Sequence, residues 1–295
     1  MIYSPINHTD LKASKIILGT DGFGTQMSKD LSFEMLDKFV DMGGNIIDTA
    51  SFYADWMNMG KSISEKTIGE WLTARKNRDK IIISTKGGHP RLESMDISRL
   101  SRDEIFDDFE HSLINLNTDY IDIYWLHKDD PNIPPERLIE IMNEILDTGK
   151  AKYIAVSNWG YDRIRAANDY AKSNGLKPFI AGQIQYSVGK PNPEFVDKLI
   201  YTMDDAEYQK YAADTLNVFA FSSQSKGFFA MLDSIGEDKI PQAVKDEFSK
   251  SCRAVVFGSS VFIWRKEKSN MIYFTADTHF GHENVIRFCG RPFSC

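Results

Sequence analysis

A (β/α)8 barrel of the TIM type, altered or incomplete at its C-terminal end, is the fold this sequence predicts, and three observations carry the prediction. Short apolar runs suited to strands recur at 16–19, 45–48, 81–86, 121–127, 153–158, 180–186 and 218–223. Their steps of roughly 30 to 35 residues hold a strand, a loop and a crossover helix. Between the runs lie segments of helical period, so strand and helix alternate along the chain. The turn after the first run, Gly19-Thr-Asp-Gly-Phe-Gly24, lacks the glycine spacing of the dinucleotide fingerprint, and no helix starts there at once. An open doubly wound sheet is therefore disfavoured against a closed barrel.

Each element has local support. After the first run, Phe33, Leu36 and Val40 form an apolar helical stripe that Gly43-Gly44 closes. Ser64 with Thr67 is expected to open the helix after the second run. Three isoleucines precede Ser84 in the third. Ser101 and Glu104 make a capping-box pattern ahead of the stripe Ile105, Phe109, Leu113 and Leu116. The helix carrying Leu138, Ile141, Met142 and Ile145 ends at Gly149, and three more β-type runs follow. Residues 241–250 read as a further helix, and 254–260 as the expected eighth strand.

Composition agrees with this and excludes several classes. A chain of 295 residues with 42% hydrophobic and 12% aromatic residues can fill one large core. A formal charge of -7 argues against a nucleic-acid surface. The first ten residues have neither the basic start nor the apolar core of a signal peptide, and no run reaches transmembrane length, so a soluble cytoplasmic protein with no membrane partner is expected. The three cysteines, Cys252, Cys289 and Cys295, all lie late in the chain, which rules out a disulfide framework for the barrel. Oligomeric state is not legible.

The chemistry sits where the strands end. Asp48, Lys86 and His127 each close an apolar run, and Tyr53 follows Asp48 by five residues. On parallel strands of one barrel, all four side chains meet at the C-terminal rim, where barrel active sites lie. Singly, each has an ordinary reading as packing, an ion pair or a satisfied core histidine. Together and in this order they point to catalysis.

The motifs around these residues are Gly43-Gly-Asn-Ile-Ile-Asp48-Thr-Ala-Ser-Phe-Tyr53, Ser84-Thr-Lys86, Leu116-Asn-Thr-Asp-Tyr-Ile-Asp-Ile-Tyr-Trp-Leu-His127 and Gly149-Lys-Ala-Lys-Tyr-Ile-Ala-Val-Ser157-Asn158. With them, the chain resembles the aldo-keto reductase family over about residues 14–235. The resemblance implies an NAD(P)H-dependent oxidoreductase that reduces aldehydes or ketones, with NADPH as the expected cofactor, NADH as the alternative, and a small-molecule carbonyl compound as the partner. It implies a catalytic tetrad of Asp48, Tyr53, Lys86 and His127. Hydride transfer to a carbonyl builds negative charge on oxygen, which needs a proton donor and an electrostatic stabiliser. Tyr53 would donate, Lys86 would ease the departure of the phenolic proton, Asp48 would hold Lys86 charged, and His127 would hydrogen-bond the carbonyl. The resemblance further implies nicotinamide contacts at Ser157, Asn158 and Gln183, an aromatic face at Phe221, a pyrophosphate loop from Ser222, and cofactor contact at Gly19 and Thr20. Phe23, Trp56, Trp125 and Trp159 are candidates for an apolar pocket wall or for core.

Beyond about residue 235 the family pattern stops, and no 2′-phosphate site can be placed. The last segment, 271–295, resembles the opening of a calcineurin-like metallophosphoesterase, in which Asp277 and His279 would be metal ligands. The later ligands of such a site are missing from the sequence, so no metal site is assigned. The expected division is a barrel over 1–260, a junction over 261–270 and the fragment 271–295, as if two reading frames were joined. Two other functions stand beside the reductase: a non-catalytic, cofactor-binding or regulatory subunit of the same fold, and a remnant of a metal-dependent phosphoesterase.

Overall fold

The computed structural model describes residues 1–187, 189–228, 231, 235–248 and 272–276. A two-stranded antiparallel hairpin, β1 (Tyr3–Pro5) and β2 (Lys12–Ser14), precedes the barrel. The barrel strands are β3 (Ile16–Gly19), β4 (Ile46–Asp48), β5 (Ile82–Gly87), β6 (Ile121–Leu126), β7 (Ala151–Ser157), β8 (Ala181–Gln185), β9 (Asn217–Phe221) and β10 (Ile272–Ala276). All pair in parallel in sequence order, and β10 closes the ring between β9 and β3. The main crossover helices are α1 (Lys29–Asp41), α2 (Ile63–Arg75), α3 (Arg102–Asn115), α4 (Pro135–Asp147), α5 (Tyr161–Ser173) and α6 (Asp205–Ala212).

The ring is the expected (β/α)8 barrel, closed and with an altered C-terminal end. The eighth position is held by Ile272–Ala276, from the segment expected to begin a separate fragment; 254–260, the expected eighth strand, lies outside the described residues, as do Asp277 and His279. Ladder bonds run through the backbone, so an apolar run of high strand propensity can complete the ring whatever family its sequence resembles.

Alternation along the strands divides the core in two. Ile17, Ile46, Ile82, Ile123, Trp125 and Phe219 fill the barrel interior. Leu18, Ile47, Ile83, Tyr124, Leu126 and Val156 face the helices, where Leu36, Ile68, Ile105, Phe109, Leu138 and Ile141 meet them. Ile6 and Ala13 of the hairpin region join the interior cluster, so the hairpin packs against the barrel's inner core.

Helix ends follow local chemistry, with one exception. Ser101 caps α3, its Oγ accepting from the Glu104 N–H and donating to the Glu104 carboxylate at 2.6 Å. Gly43 and Gly149 follow α1 and α4 in the left-handed region, at φ +88° and +72°. The expectation that Ser64 opens α2 is overturned: Ser62 occupies the cap, and Ser64 turns inward to donate to the Thr20 carbonyl at 2.7 Å. That bond ties α2 to the turn after β3.

Gly69 shows how closely α2 and α3 approach. In an open helix, glycine to alanine gains about 1 kcal/mol. Here a Cβ would stand 2.3 Å from the Asn115 carbonyl oxygen and 2.8 Å from the Leu116 carbonyl carbon, backbone atoms that cannot swing aside. Gly69→Ala is therefore expected to destabilise by roughly 1–3 kcal/mol, as overpacking does, and to lower the urea midpoint. A raised midpoint would show that the two helices part freely.

Candidate active site

The register brings the expected residues to one rim. Asp48 ends β4 opposite Ser84, and Lys86 lies two residues further along β5, opposite Trp125. His127 directly follows β6, its N–H donating to the Gly87 carbonyl at 2.8 Å. The segment after β4 runs along β5, where Thr49 N–H donates to Ser84 O and Ser51 N–H to Lys86 O, and this delivers Tyr53 to the same spot.

Lys86 is the centre. Its Nζ donates to Asp48 Oδ2 at 2.6 Å, to the Thr49 carbonyl at 2.8 Å and to the Tyr53 hydroxyl at 3.0 Å. These are the three directions an ammonium can serve. The lysine side chain is 0% exposed and the aspartate 3%, so the pair is held away from water and depends on its hydrogen bonds. Asp48 Oδ1 accepts from Ser84 Oγ at 2.8 Å and from Gln183 Nε2 at 3.2 Å. Ser84 in turn accepts from Trp125 Nε1 at 2.8 Å. A polar chain from β6 to β4 thus fixes the carboxylate that fixes the ammonium.

His127 contacts the Tyr53 ring edge-on, with centroids 5.7 Å apart. Burial pushes its pKa well below the usual histidine value, and the neighbouring His89, Lys86 and Lys128 add to the effect. The ring is therefore neutral. Its Nδ1 is sealed without a partner among the described residues. A sealed N–H costs the loss of its bond to water, so we assign Nδ1 as the lone-pair nitrogen and Nε2 as the N–H donor. A neutral donor can polarise a carbonyl without giving up its proton.

The residues expected at a nicotinamide also converge. Ser157 pairs in register with Gln183 across β7 and β8, and its Oγ donates to the Gln183 carbonyl at 3.2 Å. Asn158, in the left-handed region at φ 62°, commits both amide hydrogens, to the His127 carbonyl and to Ser157 Oγ. Its Oδ1 accepts from the Tyr201 N–H, with a lone pair left. Gln183 gives its amide N–H to Asp48 and keeps Oε1 as an acceptor that is neither bonded nor sealed. The two acceptors left open, Asn158 Oδ1 and Gln183 Oε1, suit the N–H groups of a primary carboxamide. Phe221 ends β9 half-buried, and the turn after it contains Ser222, Ser225 and Lys226 at positive φ. Gly19 ends β3 beside Asp48. Thr20 is fully buried, its hydroxyl donating to the Asp48 carbonyl at 3.0 Å and its own carbonyl accepting from Ser64 Oγ and from the Phe23 N–H, so both groups are already committed within the protein.

Of the four aromatic residues considered for a pocket wall, Trp125, Trp159 and Phe23 are wholly buried core. Trp56 is 38% exposed and lies 5.9 Å from Phe52 and 6.4 Å from Tyr53, at the mouth. Two further residues, Phe52 and His89, not expected at the site from sequence, stack their rings at 3.6 Å beside His127. The usable signal for His89 was its place three residues beyond Lys86, where β5 runs out over the rim. Among the described residues there is no cluster of three or more potential metal ligands, and no helix is long and apolar enough to cross a membrane.

Comparison with known proteins agrees with this architecture. A profile described as "Aldo/keto reductase family" matches residues 15–236. The chain is 33% identical over 168 residues to aryl-alcohol dehydrogenase GME11368 of Pestalotiopsis microspora, covering 55% of this chain and 42% of that protein. It is 30% identical over 197 residues to norsolorinic acid reductase B of Aspergillus parasiticus, covering 62% and 50%. It is 32% identical over 182 residues to aldo-keto reductase YhdN of Bacillus subtilis, covering 60% and 53%. The matched segment thus spans about half the length of these curated relatives. Among solved structures, a thermostable aldo-keto reductase, Tm1743, crystallised with the inhibitor epalrestat, superimposes with a TM-score of 0.64 at 20% identity, covering 97% of this chain and 92% of that one. The structure is a parallel (β/α)8 barrel of the α/β class. The chain belongs to the aldo/keto reductase family.

Proposed function

We propose that this chain is an NAD(P)H-dependent oxidoreductase that reduces aldehydes or ketones to alcohols, with Tyr53 as the proton donor. The observation that carries the reading is the buried Lys86 ammonium, bonded at once to the Asp48 carboxylate and the Tyr53 hydroxyl. A reduced nicotinamide held by Ser157, Asn158, Gln183 and Phe221 would supply the hydride. The chain's own residues do the rest. Tyr53 and the neutral His127 meet the carbonyl oxygen as it gains negative charge, the phenol passes its proton to that oxygen, and Lys86 stabilises the phenolate left behind. Asp48 keeps the ammonium charged in a site shielded from water. Trp56 and Phe52 give the mouth an aromatic wall suited to a substrate with an apolar body.

The deciding experiment is a titration of the full chain with NADPH and with NADH, followed by fluorescence quenching, alongside turnover of an aryl aldehyde. Saturable quenching with aldehyde-dependent nucleotide oxidation is expected. A tight nucleotide complex that turns over no aldehyde would instead make the chain a cofactor-binding subunit.

A further inference from the structure

We propose that His89 forms an acceptor subsite beside the reacting carbonyl, its Nε2 receiving the hydroxyl hydrogen of an α-hydroxy ketone or α-hydroxy aldehyde. The proposal rests on the reductase reading for its carbonyl and on separate observations for its hydroxyl.

His89 is 6% exposed and packed on both sides, its ring stacked on Phe52 at 3.6 Å and 16° and lying 4.7 Å from His127 at 65°. Its Nδ1 lies 2.7 Å from the Pro90 carbonyl oxygen. A carbonyl oxygen can only accept, so Nδ1 carries the ring hydrogen and the tautomer is fixed by the chain itself. Burial, aided by the charges of Lys128 and Arg99, holds the pKa down to about 4 even though the Pro90 bond opposes it. The ring is neutral at pH 7, and Nε2 is an acceptor. Nε2 bonds to no other described residue and is not among the polar atoms sealed from solvent. A buried imidazole with one nitrogen committed and the other open is an incomplete hydrogen-bonding group.

Its polarity is opposite to that of its neighbours. Tyr53 and His127 present donors to a carbonyl oxygen, whereas His89, one ring further from the tyrosine, presents a lone pair. The group O=C–C–O–H matches that order: the carbonyl oxygen goes to the donors and the hydroxyl hydrogen, four bonds along, to the acceptor. A 4.7 Å spacing of the ring centroids lets one small molecule touch both imidazoles.

The test compares hydroxyacetone with butanone, which share a skeleton and differ by a hydroxyl in place of a methyl. A site built to bond a hydroxyl discriminates against the analogue lacking it. The wild-type chain is expected to favour hydroxyacetone in kcat/KM by at least about tenfold, the worth of one well-made hydrogen bond. His89→Phe, which keeps the stacking on Phe52, is expected to bring that ratio close to one. A wild-type ratio near one, or a ratio unchanged in His89→Phe, overturns the proposal. A second readout needs no turnover: in nitrogen-15 spectra of the histidine rings, with oxidised nucleotide present, hydroxyacetone should move the His89 Nε2 resonance upfield and butanone should not. If neither ketone is reduced, the reductase reading fails, and the ring spectrum alone decides the subsite.

Discussion

Replacing Tyr53 by phenylalanine is expected to lower kcat for aldehyde reduction by about 10²–10⁴-fold, the usual contribution of a positioned general acid, while nucleotide affinity stays unchanged. The ring should keep its place, because its edge contact with His127 and the Lys86 ammonium 4.6 Å from its centroid do not involve the hydroxyl. Only the proton is removed. Single-turnover measurements with bound nucleotide isolate the chemical step, and a variant that retains wild-type turnover would refute Tyr53 as the donor.

The second large effect concerns the ion pair. Lys86→Met is expected to abolish turnover and to destabilise the fold by about 3–5 kcal/mol, because a buried carboxylate is left without its cation. Asp48 Oδ2 loses its partner, and so does the Thr49 carbonyl, while Ser84 and Gln183 still serve Oδ1. Adding Asp48→Asn should recover much of the stability, since no net charge then remains in the site, yet it should recover no turnover. Denaturant midpoints with unchanged m-values would read the first effect and nucleotide oxidation the second. If the double variant regained activity, Lys86 would have no role beyond pairing Asp48.

Much of this site was legible in sequence because its residues are tied to strand ends. Asp48, Lys86 and His127 close three apolar runs, and parallel pairing has one way to bring such ends together. The tyrosine was legible through its motif, since five loop residues fix no direction by themselves. Other features were hidden for physical reasons. Strands of three residues, such as Tyr3–Pro5 and Lys12–Ser14, are too short to show a period of two, so the hairpin against the barrel went unread. In β6, apolar residues occupy most positions on both faces, and nothing in such a run says that Trp125 points inward while Tyr124 points out. Ser64 reads as a cap by residue type, but the hydroxyl's partner is the carbonyl of Thr20, far back in the chain. His89 lies where the β5 run gives way to loop, and its role depends on two rings brought from other parts of the chain, Phe52 and His127.

The seam of the barrel carries one more consequence. Among the described residues, strands β9 and β3 are joined only through β10, whose five residues pair with Val218, Phe219 and Ala220 on one side and with Ile16, Ile17 and Leu18 on the other. A chain ending before residue 272 would keep Asp48, Tyr53, Lys86 and His127 and every bond among them. It would also lose, among the described residues, the strand that covers two backbone edges, one leading to Phe221 and the other to Gly19. Exposed edges of parallel sheet recruit strands from other molecules. Such a chain would forfeit solubility before it forfeited any group of the candidate site, so β10 would serve less as part of the chemistry than as a guard against self-association.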